Sequence, residues 1–280
     1  MPTIIARSLH SLKKNLNRVK KNKKIGLIPT MGSLHDGHLA LIKKSKKLKF
    51  FTVVTIFVNP LQFNNKNDLK KYPVQEKKDL NILKKINVDL VFIPKTQQIY
   101  PFGYSTYIKE INHSNILCGE YRANHFSGVL TVVCKLFILI QPDSAFFGEK
   151  DFQQLFLIKK MVKDLNLEVK IISVSTVRDS NGLALSSRNK LLDSKSLKLA
   201  GAIYKILKKS KVKNFKNTKA LVLYLKKQLI NNGIVDIEYI EIRQSKNLEK
   251  VNILNKGHQP RVFIAAYLKG VRLIDNYKIN

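Results

Sequence analysis

Two histidines three residues apart, His35 and His38, stand in the run Pro29-Thr30-Met31-Gly32-Ser33-Leu34-His35-Asp36-Gly37-His38. An apolar stretch ends at Ile28 just before this run, and helical spacing of apolar residues begins at Leu39 just after it. Histidines at such a strand-to-helix junction project to one side of the first helical turn. There the unpaired N–H groups and the helix dipole already favour an anion. Gly37 admits a ligand close to the backbone. The His-x-Gly-His pattern suits hydrogen bonding to nucleotide phosphates as charge develops on them. Two surface histidines in a turn is the alternative that the four residues alone allow.

Three further segments carry compatible chemistry. Phe57-Val58-Asn59-Pro60-Leu61-Gln62-Phe63 leaves a second apolar run with two amides, neutral groups able to orient a hydroxy acid without neutralising it. Loop capping is the alternative, stronger for Asn59 than for Gln62. Gly148-Glu149-Lys150-Asp151 lies between the apolar residues Ala145 to Phe147 and a helical stretch carrying Gln153 and Gln154. A lysine there can reach phosphate oxygens, and the nearby carboxylate can accept ribose hydroxyls or assist a magnesium ion. An exposed turn with a Glu-Lys pair is the alternative. Val177-Arg178-Asp179 and Asn181-Gly182-Leu183-Ala184-Leu185-Ser186-Ser187-Arg188-Asn189 set two hydroxyls beside the planar donor fork of Arg188, a phosphate clamp on a loop able to close over a nucleotide. A helix N-cap run before Leu191 explains one serine but not the pair with arginine.

The elements that must position these residues follow from periodicity. Short apolar runs at Lys24 to Ile28, Phe51 to Phe57, Asp89 to Ile93, Ser144 to Phe147 and Glu168 to Val174 read as strands. Helical spacing at Leu39 to Leu48, Val74 to Ile86, Val129 to Ile140 and Phe152 to Leu165 alternates with them, the pattern of an open parallel α/β sheet. Ligands of such sheets bind beyond the carboxyl ends of the strands, so the segments after Ile28, Phe57 and Phe147 converge on one cleft. After about residue 176 the character changes. Basic amphipathic helices at Ser194 to Lys209 and Thr218 to Asn231 precede alternating runs at Ile237 to Arg243, Arg261 to Ala266 and Val271 to Ile274. These predict a smaller domain, 177–280, with an antiparallel sheet on helices, after a domain spanning 1–176. The Lys-rich segment 205–219 reads as a helix end and an exposed loop.

Composition sets the class. Apolar residues make up 44% and charged residues 25% of the 280, as in soluble globular proteins. No run approaches the roughly 20 apolar residues that span a bilayer, and the N-terminus lacks an apolar core followed by a small-residue cleavage site. The chain reads as cytoplasmic, with no membrane role. Cys118 and Cys134 have no His or Cys at ligand spacing and read as plain thiols. The 51 Lys+Arg against 19 Asp+Glu give +32, which ordinarily suggests a polyanionic partner. Here lysines, among them Lys13, Lys14, Lys20, Lys21, Lys43 and Lys44, recur in every segment opposite apolar residues and outnumber arginines. They form a solvated face, with no specific nucleic-acid partner. An RNA-binding protein would want clustered arginines and exposed aromatics; a dinucleotide- or CDP-alcohol-forming nucleotidyltransferase is the rival that the His-x-Gly-His loop permits.

Together, and in this order, the four segments resemble the pantothenate synthetase family, within the nucleotidyltransferases that share the His-x-Gly-His loop with class I aminoacyl-tRNA synthetases. The similarity extends from Ile28-Pro29-Thr30-Met31-Gly32 through Gln141-Pro142-Asp143 to Arg272-Leu273-Ile274-Asp275-Asn276. It implies a Rossmann-like ATP- and pantoate-binding N-terminal domain, a smaller α+β lid-like C-terminal domain, a homodimer, and ATP with Mg2+. The implied activity is condensation of pantoate with β-alanine through a pantoyl-adenylate, with release of AMP and pyrophosphate. Carried over by residue, the resemblance implies ATP contacts from Met31, Gly32, Ser33, Leu34, His35, Asp36, Gly37, His38, Gly148, Glu149, Lys150, Asp151, Val177, Leu185, Ser186, Ser187 and Arg188. His38, His35 and Lys150 would be catalytic, Gln62 would bind pantoate and β-alanine, and Gln154 would bind pantoate. No metal ligands are assigned. Two departures stand out: Ala123-Asn124 occupies the place of a usual Pro-Gly before His125-Phe126, and Asn64-Asn65 that of a usual Gly-Pro.

Overall fold

A computed structural model describes residues 2–19, 23–64, 66–211, 214–215, 217–254, 257 and 259–279. Lys20, Lys21, Asn65 and, within the Lys-rich segment, residues 212, 213 and 216 lie outside the described residues. The chain divides into two compact units: Met1–Glu149 with Gln154–Ser175, and Lys150–Gln153 with Thr176–Asn280.

The first unit is built on strands β1 (Ile4–Ala6), β2 (Ile25–Thr30), β3 (Phe51–Ile56), β4 (Leu90–Phe92), β5 (Ser144–Gly148) and β6 (Lys170–Val174). They form a parallel sheet in the order β1-β4-β3-β2-β5-β6. From β2 the chain winds through β3 to β4 on one side, then returns to β5 and β6 on the other. The boundary between β2 and β5 is therefore the topological switch point, where such sheets bind ligands beyond their carboxyl ends. The loops after these two strands are the His-bearing run and Gly148-Glu149.

Why these residues form a buried parallel sheet is visible in β3, Phe-Thr-Val-Val-Thr-Ile, β-branched after its aromatic first residue and buried along its whole length. An aspartate just ahead of a strand supplies the start of two ladders. Asp143 Oδ2 accepts from Ile25 N–H at 2.6 Å and Asp89 Oδ2 from Thr52 N–H at 2.8 Å. Pro29, without a donor, is tolerated in central β2 because the pairing to β5 covers Gly26 and Leu27 only. The helices Asp36–Lys47 and Glu76–Lys85 bury Leu41, Ile42 and Leu83 against Ile28, Val54 and Val91 in one apolar cluster. The helix His125–Ile140 is buried on nearly every side.

In the second unit β7 (Asp236–Gln244), β8 (Pro260–Leu268) and β9 (Val271–Lys278) form an antiparallel sheet in that order. Helices Ser194–Leu207 and Thr218–Asn231, capped by Asp193 and Asn217 side chains, bury Ile203, Leu207, Leu225 and Leu229 with Val262, Ile264 and Leu273.

This is the architecture the periodicity predicts: a parallel α/β sheet and a small antiparallel sheet with helices. Boundaries differ where side chains decide them. The helix expected from Leu39 begins at Asp36, so His38 lies in its first turn, and the one expected from Val129 begins at His125. β1 and the helix Leu9–Val19, which buries Leu12 and Leu16, escape the periodicity reading; three residues make too short an apolar run to stand out. β9 continues past Ile274, where Asp275-Asn276 end the apolar alternation without ending the strand.

Gly26 is closely packed in the sheet, since a Cβ there would lie 2.5 Å from Ser45 Oγ, 2.9 Å from Phe50 Cβ and 3.0 Å from the Phe146 ring. Overpacking of this kind costs about 1–3 kcal/mol. Gly26→Ala is expected to lower the urea midpoint of unfolding accordingly, with an unchanged slope.

Candidate active site

The chain leaves β2 through a turn that one carboxylate holds. Asp79, on the buried face of Glu76–Lys85 and 1% exposed, accepts from Ser33 N–H at 2.7 Å and from Leu34 N–H at 2.8 Å, one bond to each oxygen. The turn needs Gly32 at φ +77 and Ser33 at φ +52, both in the left-handed region that a non-glycine residue enters at a cost. Thr30 closes its start: the hydroxyl donates to Thr55 O at 2.7 Å and accepts from Gly32 N–H at 3.1 Å. Met31 and Gly32 also line a cleft of 390 Å³ with Phe57, Asp79 and Lys95 at the carboxyl ends of the strands.

His35 is the N-cap of Asp36–Lys47, with Nδ1 accepting from Gly37 N–H at 3.1 Å, and His38 Nδ1 accepts in return from His35 N–H at 3.4 Å. This is a capping box made of imidazoles, with ring centroids 4.1 Å apart. An imidazole that accepts at Nδ1 carries its proton on Nε2. Each ring is thus held in the tautomer whose Nε2–H is a donor, at a helix N-terminus that already favours anions. Ser33 through His38 and Gly148-Glu149 all lie at the switch-point edge of the sheet.

Gln62 ends a short turn, Pro60–Gln62, that Asn59 builds. Asn59 is 1% exposed; its Oδ1 accepts from Leu61 N–H at 3.3 Å and from the Tyr100 hydroxyl at 2.8 Å. Its Nδ2 donates to Gly128 O and to Gln62 Oε1, both at 3.0 Å. The loop-capping alternative therefore describes Asn59, and Asn59 in turn fixes which way the Gln62 amide faces. Burial, then the neighbouring Tyr104 and Tyr107, pushes the Tyr100 hydroxyl up from its ordinary range, which keeps it a donor. Gly128 lets the helix His125–Ile140 lie against this turn: a Cβ would sit 2.3 Å from Leu61 O.

In the second unit Lys150 Nζ lies 3.3 Å from Asp151 Oδ1. Val177 and Leu185 pair across a hairpin, Leu185 N–H to Val177 O at 3.0 Å, and Ser186 caps the short helix Ser187–Leu191 by accepting from Arg188 N–H at 3.3 Å. The N-cap alternative accounts for Ser186, while Ser187 is buried. Gln154 lies in the first turn of the helix Phe152–Asp164, at the residue where the first unit resumes, and Gln153 is buried. Among the described residues no three His, Cys, Asp or Glu side chains cluster so as to hold a metal.

The sequence matches the family model for pantoate-β-alanine ligase over residues 4–278. The chain belongs to the pantoate-β-alanine ligase family. It is similar to the pantothenate synthetase of Buchnera aphidicola subsp. Acyrthosiphon pisum (strain 5A), 46% identical over 98% of both chains. It is 40% identical to that of Thermosipho africanus, over 97% of this chain and 98% of the relative. Among solved structures, the pantothenate synthetase of Thermus thermophilus superposes with a TM-score of 0.90 at 34% identity, covering 99% of each chain. The Francisella tularensis pantoate-β-alanine ligase, crystallised with beta-gamma ATP and β-alanine, superposes with a TM-score of 0.84 at 41% identity, covering 99% of this chain and 97% of that one. This chain is accordingly an ATP-dependent ligase of that family.

The structure accounts for one departure within this pantoate-β-alanine ligase. Asn124, where glycine is usual, has φ +60 and precedes the helix His125–Ile140, and asparagine is the side chain that best tolerates the left-handed region. Arg122 donates to Gln62 O at 3.3 Å, His125 Nδ1 lies 2.7 Å from the same carbonyl, and Arg122 and His125 meet at 3.1 Å. Asn65 of the other departure lies outside the described residues. Asp79 and Gly128 were not singled out by sequence reasoning. An aspartate at a position where helical spacing puts an apolar side chain is the signal that finds the first.

Asp79→Ala would leave two buried N–H groups without their carboxylate, at about 1–3 kcal/mol for each. The expected result is a lower unfolding midpoint together with faster amide hydrogen exchange at Ser33 and Leu34, read by mass spectrometry.

Proposed function

We propose that this ligase activates pantoate as an acyl-adenylate and passes the acyl group to β-alanine. A pantoate carboxylate oxygen attacks the α-phosphorus of ATP, the bond to pyrophosphate breaks, and the pantoyl-adenylate forms. The neutral amine of β-alanine then attacks the acyl carbon, the bond to AMP breaks, and the amine loses its proton as the amide forms. The observation that supports this reading is the imidazole capping box after β2, in which each Nδ1 accepts from a backbone N–H at the helix N-terminus and Nε2 is the atom that would carry a donor proton. Such donors stabilise charge that accumulates on phosphates during adenylation.

Roles follow from this chemistry. Met31 to His38, Gly148 to Asp151, Val177 and Leu185 to Arg188 contact ATP, with His38, His35 and Lys150 catalytic and Arg188 bidentate on phosphate. Gln154 orients pantoate. Gln62, its side-chain Oε1 held by Asn59, orients pantoate and then β-alanine, and positioning of the amine drives the second step. The residues 1–176 form the domain for ATP and pantoate, and 177–280 the lid-like domain. Asp151, whose Oδ1 lies 3.3 Å from Lys150 Nζ, is the candidate carboxylate that would help hold Mg2+, and the ion would supply charge neutralisation there. The work is cytoplasmic; among the described residues no helix is long and apolar enough to cross a membrane.

A homodimer completes the reading. Supporting it, the segment around Ile108 runs along the helix His125–Ile140, bonded at Ser127 and Thr131, and leaves Phe102, Tyr107, Ile111 and Ile138 exposed. Phe102→Asp is expected to halve the mass measured by light scattering, and an unchanged dimer would move the interface elsewhere.

AMP release that depends on both pantoate and β-alanine tests the reaction as a whole. Lys150→Ala is expected to slow pantoate-dependent exchange of pyrophosphate into ATP by about a hundredfold to a thousandfold, the effect of removing one preorganised donor. Wild-type exchange with no pantothenate formed would move Lys150 to the amine step. Gln154→Ala should raise KM for pantoate at least tenfold and leave ATP binding, titrated without pantoate, close to wild type.

A further inference from the structure

Strand β9 carries two adjacent polar side chains that are buried, Asp275 at 6% and Asn276 at 5% exposure. Asp275 stands in register with Val271 and Leu273, residues of β9 that pack into the apolar cluster of the second unit, as Ile279 does just beyond the strand. An ion in that stripe is poor for stability, because desolvation offsets the attraction of a buried pair and apolar replacements are often neutral or better. Its partner explains its presence. The Arg178 guanidinium bonds both Asp275 oxygens, at 2.6 and 2.8 Å, donates to Gly182 O at 3.1 Å and lies 3.6 Å over the Tyr204 ring. Arg178 belongs to the hairpin that joins Val177 to Leu185, pinned at its tip by Asp179 Oδ1 accepting from Asn181 and Leu183 N–H at 2.9 Å each.

Successive strand residues point to opposite faces, and Asn276 faces the other way, opposite Phe263. Its Nδ2 donates to Lys150 O at 2.9 Å, while its Oδ1 accepts from Arg261, whose guanidinium lies 4.0 Å over the Phe152 ring. The amide is thereby oriented, with its donor side on the residue 150 turn.

We infer that Asp275 and Asn276 are positioning residues for ATP use: one strand grips the 177–185 hairpin on one face and the Lys150 turn on the other. The inference rests on the ATP contacts proposed for those two segments. Neither side chain touches nucleotide; each holds the backbone from which Lys150, Val177 and Leu185 to Arg188 extend. A hairpin released from Asp275 would bind ATP less often in its competent form, raising KM. A Lys150 turn released from Asn276 would misplace a charge needed in the transition state, lowering kcat.

Steady-state pantoate-dependent pyrophosphate exchange separates the two. In the double variant Arg178→Met/Asp275→Leu, which leaves no unpaired ion but removes the bonds to Asn276 N–H and Gly182 O, the protein is expected to fold with an unfolding midpoint near wild type while KM for ATP rises at least tenfold and KM for pantoate is unchanged. A wild-type KM for ATP in that folded variant overturns the hairpin grip. Should the double variant not fold, Asp275→Asn decides the same question, with a KM for ATP raised severalfold supporting the grip and a wild-type value overturning it. Asn276→Ala is expected to lower kcat at least tenfold with KM for ATP within twofold; an unchanged kcat overturns the second grip. Amide exchange at residues 181–185, measured without substrates, should quicken in the Asp275 variants. Quickened exchange beside a wild-type enzyme that catalyses no pantoate-dependent reaction would retain the grip and overturn the proposed function instead.

Discussion

A carboxylate buried to 1% exposure, bonded through both oxygens to backbone N–H groups, sets the path of the chain as it leaves the central strand. Without Asp79, nothing about the sequence Met31-Gly32-Ser33-Leu34 compels two consecutive left-handed residues. With it, the turn is closed and His35 arrives at the N-cap. Hydrogen bonds to a charged acceptor contribute about 1.5–3 kcal/mol each, enough to offset the left-handed conformation at Ser33 of about 1–2 kcal/mol. The imidazole cap and its Nε2 tautomer depend on this turn, because the reciprocal bonds require His35 outside the helix and His38 within its first turn.

The surroundings of Gln62 show the same logic with neutral groups. Tyr100, Asn59 and Gln62 form a directed chain of hydrogen bonds, and in a buried setting such chains leave little freedom to any member. Arg122 and His125 hold the Gln62 carbonyl from the start of the next helix. Gly128 removes the one Cβ that would keep that helix away. Asn124, of the Ala123-Asn124 departure, takes up the left-handed conformation just before that helix.

Polar side chains where the local pattern asks for apolar ones mark the important places: Asp79 on the buried face of a helix, Asn59 at a strand exit, and Asp275 in the apolar stripe of β9. Local rules are broken where function or its support requires it. In all three cases the polar group bonds backbone or a paired ion, and the order it imposes falls on a loop.

Alternating apolar runs were enough to show the parallel sheet, its crossover helices and the later antiparallel sheet, because burial on two faces or on one dictates continuous or alternating patterns. The segments bearing His35, His38, Gln62, Lys150 and Arg188 stood out as candidates for a related reason: their residue types are unusual at strand exits. Strand order was decided by the tertiary structure, since the switch between β2 and β5 arises from pairings over a hundred residues apart. So were the roles of Asp79, Gly128, Asp275 and Asn276, whose partners lie 45, 67, 97 and 126 residues away at Leu34, Leu61, Arg178 and Lys150. No local window contains both members of such a pair. The imidazole cap also needed coordinates, because sequence rules for helix starts look for Ser, Thr, Asp or Asn, and only the geometry shows histidine nitrogens taking that place.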